Sequence, residues 1–155
     1  MVGDTDEHGC LSCAIVAGRV EAPGGAIVET DHFHVHQDAA YPVPGQAIVA
    51  ARRHVRRLAD LIEAEASELL PLLRRVRRAQ GEVLGVEHVH YFCNEDTKHH
   101  FHVLMVPRHP WMARGRSIAS VRPALLHARD AMSSPKDLAS VREAAIRLRR
   151  ALQLG

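Results

Sequence analysis

Residues Lys98 to Arg108 read Lys-His-His-Phe-His-Val-Leu-Met-Val-Pro-Arg, and this segment is the most informative part of the chain. His100 and His102 are two residues apart, and Phe101 and Val103 alternate with them. Because successive side chains of a β-strand point to opposite faces, the pattern predicts a strand with both imidazoles on one face and the apolar side chains in a core. Imidazole can act as a base, an acid, a nucleophile or a metal ligand near neutral pH. The stretch therefore indicates a reaction centre on a rigid strand.

The rest of the chain supplies further strands, one long helix and two terminal helices. Pro71 falls inside the long helix and predicts a kink or a break there. Ser140 with Glu143 has the pattern of a capping box for the last helix. This order of elements predicts an α+β domain with a largely antiparallel sheet of about five strands. The predicted strands are Ala26–Glu29, Phe33–Gln37, Gln46–Ala51, Val86–Cys93 and His99–Val106, and the predicted helices are Glu63–Val83, Val121–Met132 and Val141–Leu152.

Composition restricts the class of protein and its partners. The 155 residues fit one domain that can bury a core without disulfides. No apolar run approaches the ~20 residues that a membrane-spanning helix needs, so we expect no membrane partner. The start of the chain is polar and acidic, unlike a signal or transit peptide, which predicts a cytoplasmic protein. A net charge of +2 makes nucleic acid an improbable partner.

Four landmarks occur in an order that resembles the histidine-triad (HIT) family of nucleotide hydrolases and transferases. The resemblance runs from Cys10 to about Pro110. It implies a single domain over residues 1–155, with a core of about 10–110 and a C-terminal helical extension of about 111–155. The landmarks are Cys10-Leu11-Ser12-Cys13; Gly45-Gln46-Ala47-Ile48-Val49 leading to Arg52-Arg53-His54; the helix that follows Leu58-Ala59-Asp60-Leu61; and the histidine strand that ends in Val106-Pro107-Arg108.

The family motif has three alternating histidines, often followed by Pro-Arg. Aligning on Pro107-Arg108 gives His100, His102 and Leu104 as the three triad positions. An alternative register that ends at His102 would place Lys98 first, but it does not keep the spacing to Pro-Arg. The resemblance implies that His102 is the nucleophile that attacks the α-phosphate, with His100 beside it. Leu104 cannot donate the hydrogen bond to phosphate that the third histidine normally provides.

The resemblance also implies residues that bind substrate. Asp38 aligns with the family's acidic residue that binds ribose, and Asn94 resembles an asparagine that lines the site. Lys98 or Arg108 could contact phosphate, since a lysine ammonium binds phosphate as a point charge. Asp38 and Asn94 have a competing interpretation as turn residues, because both types are common in turns.

Cys10 and Cys13 supply half of a tetrahedral zinc site. In many bacterial relatives the other ligands correspond to His54 and His100, so the resemblance implies structural zinc held by Cys₂His₂. Otherwise the thiols are free or form a redox pair. His99 is an alternative ligand, although strand alternation would turn it to the opposite face.

Five further histidines alternate along two predicted strands. We interpret them mainly as a polar sheet face, with a second metal or phosphate patch as the alternative. They are His32, His34, His36, His88 and His90.

The leading functional prediction is a nucleotide phosphohydrolase or nucleotidyl transferase that acts on adenylylated or dinucleoside-polyphosphate substrates. A catalytically degenerate domain that binds nucleotide as a sensor or scaffold is the alternative, and a zinc-stabilised interaction module is a third. The family resemblance implies a homodimer formed through the long helix and a sheet edge.

Overall fold

The computed structural model describes residues 9–112 and 118–154. The elements follow the predicted order, with a short additional helix at the start and a single 3-10 turn before the long helix. They are α1 (Leu11–Val16), β1 (Ala26–Glu29), β2 (Phe33–Gln37), β3 (Ala47–Ala51), the 3-10 turn Leu58–Asp60, α2 (Glu63–Leu84), β4 (Val89–Phe92), β5 (His102–Pro107), α3 (Ile118–Ala131) and α4 (Pro135–Leu154).

The five strands form one sheet in the order β1-β2-β3-β5-β4, and every neighbouring pair is antiparallel. This confirms the predicted α+β class and the pairing of the histidine strand with its predecessor. β5 begins at His102 rather than at His99, because the chain bends before it. Phe101 nevertheless stays beside β3, where its carbonyl accepts a hydrogen bond from Ala51 N–H at 2.9 Å.

One face of the sheet carries the main core. Apolar side chains from β2, β3 and β5 pack there against α2 and α4, and α4 also contacts α2 directly. Phe33, Met105, Leu72 and Leu148 are all fully buried in this layer. The strict alternation of the strands sends their histidines to the other face, which is where the candidate site lies.

Part of that second face is closed by α3. Val106 of β5 and Val43, in the loop before β3, pack against Ala124 and Ala128 of the helix. Leu104 and Phe92 lie at the border of this smaller cluster. The C-terminal helices therefore cover both faces of the sheet, and the half of the second face around His102 remains outside this cluster.

The predicted break at Pro71 and the predicted start of the last helix were wrong. The long helix continues through Pro71, which lies on its exposed side, and ends at Gly85 with a left-handed φ of 66°. The last helix begins at Pro135 instead of near Val141, because Ser134 and Asp137 cap each other: Asp137 N–H donates to Ser134 Oγ at 3.2 Å and Ser134 N–H to Asp137 Oδ2 at 3.1 Å. Ser140 lies within the helix, where its hydroxyl donates to Lys136 O.

Among the described residues, no helix has both the length and the apolar character that crossing a membrane requires.

Candidate functional site

Four side chains from three distant parts of the chain converge beside the start of β5. Cys13 lies in α1 and Cys10 caps this helix, His54 comes from the loop after β3, and His100 comes from the segment before β5. One ligand atom from each residue lies within 4.8 Å of the others. Cys13 Sγ is 3.1 Å from His54 Nδ1 and 2.7 Å from His100 Nε2. This is a donor set of two thiols and two imidazoles around one point.

Hydrogen bonds to the backbone orient these ligands. His100 Nδ1–H donates to Ala51 O at 2.7 Å, which leaves Nε2 with its lone pair facing Cys13. Cys10 caps α1, and its Sγ accepts from Cys13 N–H at 3.4 Å. Burial lowers the pKa of His100 and favours the neutral form that binds metals. The four residues therefore fit a tetrahedral Cys₂His₂ site for a metal ion such as zinc.

His102 stands next to this cluster and does not belong to it. It lies opposite Ala50, which lies opposite His34, so all three side chains share the second face of the sheet. Its Nδ1–H donates to His100 O at 2.8 Å. In a neutral ring this hydrogen bond places the lone pair on Nε2. The half-buried imidazole is thereby presented in the form that a nucleophile needs.

His99 occupies a different position from the one that strand alternation predicted. The chain bends at this residue, and Leu11 N–H donates to its Nδ1 at 3.3 Å. Burial lowers the pKa of His99, and the neighbouring His102, Lys98 and His54 lower it further. The ring therefore lies beside the start of α1, the helix that contains Cys13.

Asp38 forms a turn at the end of β2. Its Oδ1 accepts from Ala40 N–H at 2.7 Å and Tyr41 N–H at 3.3 Å, and its Oδ2 accepts from Gln46 Nε2–H at 2.7 Å. The carboxylate is buried. Along the strand direction it is four residues, or about 13 Å, from the level of His34 and His102. In the structure, Asp38 therefore makes the hydrogen bonds of a turn residue, as the alternative interpretation of this aspartate predicted.

The other predicted phosphate and site-lining residues are divided between the two ends of β5. Lys98 is exposed beside His99, and a methyl group placed on Gly9 would stand 3.2 Å from its Nζ. Asn94 is exposed in the preceding loop, where its Oδ1 accepts from Asp96 N–H at 2.9 Å in a turn. Arg108 follows the far end of β5, six residues or about 20 Å from His102, so the structure does not bring the two together.

Solved structures share this architecture over nearly the whole chain. A Zn-bound histidine triad family protein from Mycobacterium smegmatis is 24% identical, with 94% of each chain covered and a TM-score of 0.67. A hypothetical histidine triad nucleotide-binding protein from Sulfolobus tokodaii strain7 is 16% identical, covering 94% of this chain and 93% of that one, with a TM-score of 0.68. A Hit-like protein involved in cell-cycle regulation from Bartonella henselae is 13% identical, covering 93% and 97%, with a TM-score of 0.65.

The protein has the histidine-triad fold. No protein-family model matches the chain, and none of the curated proteins matches it significantly.

Within the histidine-triad fold, Leu104 has a packing role. It lies opposite Phe92 on β4 and contacts the apolar cluster beneath α3. A leucine suits this border because it contributes apolar surface that a histidine would not. The position that the family resemblance assigns to the third histidine thus lies where α3 covers the sheet.

The environment of His34 and His36 was not predicted from the sequence. The two side chains were expected on a polar face, but both are buried on the same side of the sheet as His102. His34 Nδ1 and His36 Nε2 have no hydrogen-bond partner within the described part of the chain. Burial lowers the pKa of His34 to about 4 and also lowers that of His36. Periodicity assigned the two side chains to the correct face and carried no signal about what covers it.

Proposed function

We propose that the protein is a nucleotide phosphohydrolase or nucleotidyl transferase that acts on the α-phosphate of adenylylated or dinucleoside-polyphosphate substrates. The observation that carries this proposal is the state of His102. Its Nδ1–H is held by His100 O, its Nε2 lone pair is available, and the ring stands half-buried at the start of a central strand. The fold supports the same function, because a neighbour of similar structure is described as a nucleotide-binding protein.

The reaction would proceed through a nucleotidyl-histidine intermediate. His102 Nε2 attacks the α-phosphorus in line, the Nε2–P bond forms, and the bond from phosphorus to the leaving group breaks with its electron pair. The leaving group takes a proton from solvent. Water, or another acceptor in a transferase, then attacks phosphorus, releases the neutral imidazole and loses its proton to solvent. Both steps depend on positioning and on donors near the phosphate oxygens.

The substrate would lie along the second face of the sheet. Lys98, on the same side as His99, is the proposed phosphate contact, and Asp38 is the proposed ribose contact at the other end of β2. The Asp38 carboxylate oxygens have lone pairs beyond those used by the turn, so they could still accept from ribose hydroxyls. Asn94 could line the entrance from its exposed loop.

We propose that zinc is bound by Cys10, Cys13, His54 and His100. When bound, the ion would supply structural cross-linking of α1 to the segment before β5, with all four positions filled by protein. His100 would then brace the strand whose carbonyl orients His102. Its contribution to catalysis is through this positioning.

The test is turnover of adenosine 5′-phosphoramidate and diadenosine polyphosphates by purified protein. His102→Ala should reduce kcat by at least about 10³-fold, because it removes the attacking atom. His88→Ala is the matched control: this exposed histidine precedes β4 at the other end of the sheet, and its loss should leave kcat unchanged. An active parent whose His102→Ala variant is equally active would contradict the proposal.

The second candidate is a nucleotide-binding domain without catalysis, and the packing of Leu104 against the α3 cluster favours it. It predicts that AMP binds, as measured by calorimetry, while no substrate becomes attached to the protein. Detection of a nucleotidyl adduct on His102 would exclude this candidate.

A further inference from the structure

Leu104 supplies no hydrogen-bond donor for a phosphate bound at His102. A phosphate bonded to a nucleophile gains negative charge on its non-bridging oxygens, and hydrogen-bond donors stabilise that charge. Leu104 has an aliphatic side chain, and its neighbours Val106 and Phe92 are apolar as well. A donor for these oxygens must therefore come from another part of the chain.

His99 has a fixed donor. Leu11 N–H is a backbone donor and cannot accept, so the hydrogen bond of 3.3 Å uses the lone pair of His99 Nδ1. A neutral imidazole with its lone pair on Nδ1 carries its proton on Nε2. The ring therefore carries its proton on Nε2, and the residue is half-buried. The backbone of α1 sets this tautomer, because Leu11 is the first residue of the helix.

The same ring lies near the proposed nucleophile. His99 lies three residues before His102, and after burial the nearby His102 and Lys98 are the next causes that lower the pKa of its ring. Lys98 carries its ammonium beside Gly9, at the start of α1. A hydrogen-bond donor and a cation thus lie beside the start of α1, three and four residues before His102 and outside the apolar cluster under α3.

We propose that His99 Nε2–H donates a hydrogen bond to a non-bridging oxygen of the α-phosphate at His102, in place of the imidazole that is absent from position 104. This inference rests on the proposed function. His99 transfers no proton in this role; it binds the phosphate oxygen and stabilises the charge that develops as the Nε2–P bond of His102 forms.

The first test compares two substitutions that differ in the donor. His99→Phe keeps an aromatic ring and removes Nε2–H, and it should lower kcat for adenosine phosphoramidate by about 10²-fold, the usual effect of losing one such donor. KM should change less than kcat, because the interaction strengthens in the transition state. His99→Gln places an amide N–H at similar reach and should retain activity within about tenfold of the parent.

His88→Phe is the matched control, because it makes the same change at an exposed histidine near β4. Thermal stability and metal content of each variant are measured beside its activity, since His99 adjoins a ligand of the Cys₂His₂ cluster. These two measurements separate loss of a donor from disturbance of the cluster.

The outcomes are distinct. A large drop in kcat for His99→Phe, rescue by His99→Gln, and unchanged metal content and stability would establish the inference. Equal losses in both variants, or a loss that follows metal content, would overturn it, and so would a His99→Phe variant as active as the parent. If the parent itself neither turns over substrate nor differs from His102→Ala, the proposed function has failed, and that result is recognised before His99 is tested.

Discussion

At the scale of single residues, the two buried histidines of β2 connect stability to pH. His34 is buried beside His36, and its Nε2 lies 3.4 Å from Glu29 Oε1, while Arg52 also interacts with it. Burial is the largest cause of its lowered pKa, the nearby His36 and Arg52 lower it further, and Glu29 opposes them. The folded protein therefore holds His34 neutral at pH values where an unfolded chain would protonate it.

The lowered pKa of His34 predicts that the folded protein becomes less stable as the pH falls. The pKa of His34 is about 4 in the folded state and has the ordinary value of 6.5 in the unfolded chain, so the unfolded chain binds more protons between these two pH values. The contribution of neutral His34 to stability is present above pH 6.5 and is lost as the pH falls toward 4. Over this range the unfolding equilibrium constant rises by up to about tenfold per pH unit. Denaturant unfolding of His34→Gln should show a shallower loss over this window than the parent, whereas His88→Gln should match the parent. Equal slopes for parent and His34→Gln would contradict the burial argument.

At the scale of elements, the homodimer that the family resemblance implies can be tested on α2 and β4, which each carry an exposed apolar side chain. Leu70 is 64% exposed on α2 and Tyr91 is 50% exposed on the edge strand β4. Along the exposed side of the helix, Glu63 precedes Leu70 and Arg78 follows it. Two copies of this helix packed antiparallel around Leu70 would place the acidic half of each against the basic half of the other.

The expected consequence is a change of mass in solution. The parent should elute as a dimer, and Leu70→Glu should shift it to a monomer, because a charge at the centre of an apolar contact is poorly solvated. Light scattering after size exclusion measures this. Leu154→Glu is the control, since Leu154 is 90% exposed at the end of α4. A parent that is monomeric at all concentrations would contradict the homodimer prediction.

The elements also show what the sequence could predict. Alternation identified β1, β2 and β3 nearly to the residue, and helical spacing gave α2 within one residue at its C-terminus. The start of β5 and the position of His99 were not predicted, because the hydrogen bond from Leu11 N–H to the His99 ring joins residues 88 apart and leaves no local sequence signal. The start of α4 was missed because Ser134 with Asp137 and Ser140 with Glu143 both satisfy the local capping pattern. In the structure, the pair that caps the helix is Ser134 with Asp137.

At the scale of the whole molecule, we propose that the chain folds as one unit joined by the Cys₂His₂ cluster. α4 contributes Ala145 and Leu148 to the main core, and the cluster ties α1 to the loop after β3 and to the segment before β5. His54 and His100 follow Cys13 by 41 and 87 residues, so sequence spacing alone could not predict that these side chains meet. The Cys-x-x-Cys pair could be seen in the sequence, and its partners came from the family resemblance.

Metal removal tests this arrangement. Cys13→Ser should lower zinc from about one ion per chain to near zero and reduce the melting temperature by about 10 °C, because a structural ion of this kind contributes several kcal/mol to folding. Cys93→Ser is the control, since Cys93 is exposed and outside the cluster. Full zinc content in Cys13→Ser would show that the four residues do not form the site.

Intact-protein mass spectrometry after rapid quenching with adenosine 5′-phosphoramidate tests whether His102 is the nucleophile. We expect an added mass of one adenylyl group, mapped to His102 by peptide fragmentation, present in the parent and in His88→Ala and absent from His102→Ala. Turnover of the substrate with no adduct on His102, or an adduct that persists in His102→Ala, would contradict it.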